Sequence, residues 1–142
     1  MSMPTVLLAM GAAHVRLALI DGLRSHARVL ALALPERVVA EVRAQRPSVV
    51  LIEVGLRPRR ALDQCRQIKT DAGVAPLVGL LDAGGRIRRP DAVARECEAD
   101  GILRGALGSG EVWPFVLAMQ EKRGFVIQGE APKHRIRRWL GR

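Results

Sequence analysis

Apolar residues along this 142-residue chain recur in two alternating rhythms. Short unbroken runs open each cycle: Thr5–Ala9 (TVLLA), Arg28–Leu34 (RVLALAL), Pro47–Val54 (PSVVLIEV), Pro76–Leu81 (PLVGLL) and Gly101–Leu103 (GIL). Apolar runs this short predict strands buried on both faces. PSVVLIEV is the clearest, rich in β-branched residues with one charge, Glu53, near its C-terminal end. RVLALAL also suits a helix, because Ala and Leu favour one. Between the runs, apolar positions fall three and four apart. Val15, Leu19, Ile20 and Leu23 mark a helix over 13–26, and Val38, Val39 and Val42 another over 35–45. Leu62, Cys65 and Ile68 mark a third over 61–70, and a fourth spans about 90–98. Val112, Phe115, Val116 and Met119 mark the last, over 109–121. Pro35 suits the first position of its helix. Ser109 suits the cap of the last helix, with Pro114 in its tolerated first turn.

Five βα units in this order predict an α/β fold: a five-stranded parallel sheet, doubly wound, in a three-layer sandwich. Right-handed crossovers place helices on both faces. Such folds bind ligands at the carboxyl ends of the strands, so the residues there decide function. The βα region occupies 1–123, and 124–142 form a basic tail. Within the tail, Pro132 precedes KHRIRRWLGR, which suits a short amphipathic helix. Ile136, Trp139 and Leu140 then share one side and Arg135, Arg137 and Arg138 the other. Such a helix docks on an acidic partner or on anionic lipid, where each basic residue adds roughly 1 kcal/mol. A segment this short is marginal as a free helix, and a frayed basic end is the alternative.

Composition narrows the function classes. With 49% hydrophobic and 26% charged residues, the chain is expected to fold as a soluble domain. No run reaches the roughly 18 apolar residues of a membrane span. Met1–Pro4 lack a basic region before an apolar block, so the expected location is cytoplasmic, with peripheral membrane contact through the tail. Cys65 and Cys97 form no CxxC and read as free thiols. His14, His26 and His134 lack ligand spacing, so no metal or other cofactor is expected. GxxxxGK[ST], HExxH and GxSxG are all absent. The glycine-rich GALGSG (105–110) reads as a flexible loop.

The formal charge of +9 first suggests nucleic acid. Aromatics at 3%, with no Tyr, argue against stacking of single-stranded bases. Without a helix-turn-helix, DNA is a poor partner. Placed along the chain, the charge is local. Arg57, Arg59 and Arg60 follow the third strand, Arg86, Arg88 and Arg89 follow the fourth, and residues 121–142 carry a net +5. The remainder sums to −2. Both arginine loops follow strand C-termini, which makes them a candidate anion-binding rim for an acidic protein surface, a phosphate or a nucleotide. Solvated loop arginines are the plain alternative. Arg88–Asp91 (RRPD) matches the RxxD pattern of some cyclic-dinucleotide sites over only four residues.

The order of elements and several local motifs resemble the receiver domain of bacterial two-component response regulators, from Thr5 to about Arg123. PSVVLIEV is similar to that family's phosphoacceptor strand, roughly PDLVLLDV. EADGIL (98–103) is similar to its GADGFL, and Pro76–Leu81 to its proline-opened fourth strand. Arg16, Leu62, Cys65 and Arg66 match residues common in its helices. The resemblance implies a phosphorelay module that binds signalling proteins or dimerises through its last two helices and fifth strand. It also exposes departures. Met10 and Gly11 stand where the family has two Mg²⁺-binding acids, and Glu53 stands for the acceptor aspartate. Leu81 replaces the hydroxyl residue, Gly105 (beside Arg104) the lysine, Ala106 the following proline and Ile102 the switch aromatic. Phosphoryl transfer rests on positioning and charge neutralisation. The resemblance therefore implies a degenerate receiver, not an enzyme, acting independently of phosphorylation. Glu53 reads in three ways: as a standing mimic of the phosphorylated acid paired with Arg104, as an atypical acceptor, or as a remnant carboxylate.

Overall fold

The computed structural model describes residues 3–71, 75–105, 107–121 and 124–130. Each apolar run becomes a strand: β1 (Thr5–Ala9), β2 (Arg28–Leu32), β3 (Val49–Glu53), β4 (Leu77–Asp82) and β5 (Gly101–Arg104). Of RVLALAL, Arg28–Leu32 resolves as strand, paired with β1 from Thr5↔Arg28 to Ala9↔Leu32. The helices are α1 (Ala13–Leu23), α2 (Val38–Gln45), α3 (Pro58–Thr70), α4 (Pro90–Cys97) and α5 (Ser109–Glu121).

A sixth strand corrects the expected count of five. β6 (Val126–Gln128) lies in the segment read as tail and pairs in parallel with β5, Gly101↔Val126 to Leu103↔Gln128. The sheet order is β2-β1-β3-β4-β5-β6. The physical reason lies in GFVIQG (124–129), a short apolar run between glycines. It covers the row of backbone donors and acceptors that β5 would otherwise leave open. Val126 N–H, for example, donates to Asp100 O at 3.0 Å.

Strand alternation builds two cores. Leu7, Val50, Ile52, Val78, Leu80 and Ile102 face α2, α3 and α4. Val6, Leu8, Met10, Val49, Leu51, Leu81 and Leu103 face α1 and α5. On the second face Gly79 and Gly101 are register partners. Together they form a slot filled by Phe115. A Cβ would meet its ring at 2.7 Å from Gly79 and 2.9 Å from Gly101.

Several boundaries move, and α1 ends at Leu23 rather than His26. α3 starts at Pro58 rather than Ala61, because Pro is well placed at a first helical position, so Arg59 and Arg60 lie in its first turn. Pro35–Arg37 form a 3₁₀ turn ahead of α2. Ser109 is itself helical and Pro114 lies past the first turn of α5. Gly110, whose carbonyl loses its usual partner there, is exposed, and water can serve it. Among the described residues no helix is long and apolar enough to cross a membrane.

Candidate functional site

At the carboxyl end of β1 the chain turns through Met10 and Gly11. Met10 is buried in the α1/α5 core. Gly11 is exposed, and its N–H donates to Glu53 Oε1 at 3.3 Å. Arg16 reaches back from α1, donating from Nη1 to Met10 O at 2.9 Å and Gly11 O at 3.3 Å. Glu53 is half-buried at the end of β3, in register with Leu81, which is fully buried. The carboxylate therefore braces the β1–α1 turn from one side while a guanidinium grips it from the other.

The Mg²⁺ that this fold family implies does not fit that donor set. A hard cation needs several oxygen ligands. Here a buried thioether, a glycine and an aliphatic side chain surround one carboxylate. Among the described residues no three His, Cys, Asp or Glu converge.

The expected pairing of Glu53 with Arg104 is not made, and strand parity explains why. Glu53 shares a face with Leu51, in the α1/α5 core, whereas Arg104 shares one with Ile102, in the α2–α4 core. Arg104 stands instead beside Asp82 in register, and its Nε is buried with no hydrogen-bond partner among the described residues.

Gly105 has a structural reason to be glycine. Its φ is +86°, and a Cβ there would lie 2.7 Å from Glu130 O. Gly129, at φ +82°, packs in turn on the Arg104 carbonyl. The chain leaving β6 thus crosses the place that a side chain at 105 would start from. Gln128 anchors this return, donating from Nε2 to Glu111 O at 2.8 Å. Ala106 lies outside the described residues.

Of the two arginine clusters, Arg86, Arg88 and Arg89 line clefts that Pro58 at the start of α3 also lines, whereas Arg57, Arg59 and Arg60 line neither. Arg57 caps α3 and Arg89 caps α4, neither with a side-chain cap bond, and Arg59 and Arg60 follow in the first turn of α3. All six arginines, Arg86 and Arg88 included, are exposed, and among the described residues none forms an ion pair. Two clefts of about 340 and 300 Å³ share Pro58, Arg86 and Arg88; the larger lies between the start of α3 and the Gly84–Arg88 loop, the smaller between α3 and α4. Of the RRPD run, Pro90 opens α4 and Asp91 is exposed in its first turn.

Sequence reasoning missed the residue that shapes this loop. Asp82 is fully buried, and its two oxygens accept the N–H groups of Arg86 and Ile87, each at 2.9 Å. Ile87 is thereby drawn into the core, and the arginines on either side of it stay out in solvent. An acid directly after an apolar strand and before two glycines was the available signal. Arg135, Arg137, Arg138 and Trp139 lie outside the described residues.

No protein-family model matches the sequence, and no curated protein matches it. Solved structures do match in fold. A Chloroflexus aurantiacus protein classed as a response regulator superposes with a TM-score of 0.73 at 18% identity, over 85% of this chain and 100% of that one. The chemotaxis response regulator CheY4 of Vibrio cholerae gives 0.70 at 13%, over 83% and 99%. The N-terminal signal receiver domain of a Bacteroides fragilis two-component response regulator gives 0.67 at 20%, over 86% and 100%. The chain has the α/β receiver fold.

Proposed function

We propose that this chain is a degenerate receiver: a non-enzymatic, phosphorylation-independent interaction module of a bacterial two-component system. The observation that carries this reading is the filling of the strand ends. Met10 and Leu81 are core residues, Glu53 braces a turn, and the return from β6 covers Gly105. Phosphoryl transfer needs a metal and a positive group to neutralise developing charge. A metal site cannot be assembled around Glu53 from these side chains, and the Arg16 guanidinium beside it is committed to the Met10 and Gly11 carbonyls. Output then comes from a surface presented at all times to a signalling protein. The fold supports this through relatives in shape that are response regulators. A homodimer through α4, α5 and the sheet edge would use β6, since β6 occupies the free side of β5.

The test is incubation with acetyl phosphate and Mg²⁺, read by intact mass and by light scattering. The expected result is no phosphoryl mass gain and an unchanged oligomeric state. A phosphorylated species that maps to Glu53 would instead establish the atypical-acceptor reading.

A further inference from the structure

We infer that the cleft between α3 and α4 is a binding site for a small phosphate-bearing anion of the diphosphate class, recognised through its phosphate oxygens. Arg86, Arg88 and Arg89 line the cleft, exposed and without an ion-pair partner among the described residues, and like charges held close repel. The fold holds them there by construction. Asp82, buried and far from solvent, commits both oxygens to the Arg86 and Ile87 amides. Ile87 anchors the loop inward, so Arg86 and Arg88 project from a fixed base on both sides of it. The opposite wall is tied as well. Arg66 Nε donates to Glu96 O at 3.0 Å and Cys65 Sγ to Cys97 O at 3.3 Å, joining α3 to α4.

Guanidinium forks match phosphate oxygens two at a time, and a pre-set fork loses little freedom on binding. Two helix starts facing the cleft add positive potential. The acids nearby are few: Glu96 at the far wall, Asp91 in the first turn of α4, and Asp63, which faces Arg66 at 4.0 Å. The volume suits a diphosphate with a small substituent. No aromatic side chain lines either cleft, so a nucleobase finds no ring to stack on. The site is therefore blind to the base.

The experiment is calorimetric titration of the full chain with sodium pyrophosphate at low salt, with amide chemical shifts mapped by NMR. Shifts are expected at Arg86–Arg89 and Pro58–Arg60. Arg86→Gln with Arg88→Gln should weaken binding at least about tenfold. Asp82→Asn, which removes no arginine, should also weaken it while circular dichroism stays native. Adenosine diphosphate and guanosine diphosphate should bind within about threefold of pyrophosphate. The assignment is overturned by no heat at millimolar pyrophosphate, full binding retained by the double variant, clear preference for one nucleotide, or tighter binding of oligoglutamate. The last would make the cleft a dock for an acidic protein segment. Anionic vesicles bound through the same residues more tightly than pyrophosphate would place the phosphate on a lipid headgroup and refute a small-molecule site.

Discussion

Glu53 bears the only charge on β3, yet its bond to the Gly11 amide is long and lies at the surface. A net hydrogen bond of this kind contributes about 1 kcal/mol or less. Gln retains a carbonyl oxygen for the same amide. Glu53→Gln should therefore change the unfolding free energy by less than about 1 kcal/mol and leave oligomeric state unchanged, measured by urea denaturation and light scattering. Gly79 is more demanding. A Cβ there would press on Phe115 at 2.7 Å and on Leu51 and Met119 at 3.0 Å, three core side chains at once. Gly79→Ala should cost about 1–3 kcal/mol through overpacking. Cys65 offers a pH handle. Its hydrogen bond with Cys97 and then its burial push the thiol far above the ordinary 9.0. The folded state thus resists the thiolate, so the contribution is complete below pH 9 and lost as pH rises beyond it. Unfolding midpoints should fall above that pH in the wild type and fall less in Cys65→Ala. Thiol reagents should react with Cys65 only on unfolding.

At the level of elements, most of the fold was legible because short apolar runs and helical spacing alternate without interruption. β6 escaped because a three-residue strand has almost no pattern of its own, and its existence depends on an open neighbour. The candidate site was legible only in part. The replaced positions could be named from motif order, but Asp82 could not, since its meaning comes from burial and from the two amides it holds. The Glu53–Arg104 pair failed for a related reason. Each lies at the end of a strand, but which face each presents depends on the pairing of both strands with their neighbours. The role of β6 can be measured by comparing two truncations. Chains ending after Arg123 and after Glu130 differ only by residues 124–130. Val126 is 7% exposed, and burying a valine contributes about 1.5–3 kcal/mol. The shorter chain should be less stable by about that amount and should self-associate through the uncovered edge of β5.

The net charge of the whole molecule separates into parts with different jobs. Residues 131–142 hold five cations and no acid, so a chain ending at Glu130 falls from +9 to +4. Arg86, Arg88 and Arg89 of the α3/α4 cleft stay in place. If the excess charge acted as one diffuse field, retention on a cation-exchange column and pyrophosphate affinity would fall together. If the cleft acts through fixed short-range forks, the two separate. The chain ending at Glu130 should elute at clearly lower salt yet bind pyrophosphate within about threefold of the full chain. Arg86→Gln with Arg88→Gln, which removes only two charges, should give the reverse: a smaller change in elution and a large loss of binding. Anionic-vesicle binding that disappears with residues 131–142 would assign the tail to a lipid surface and leave the cleft to its small ligand.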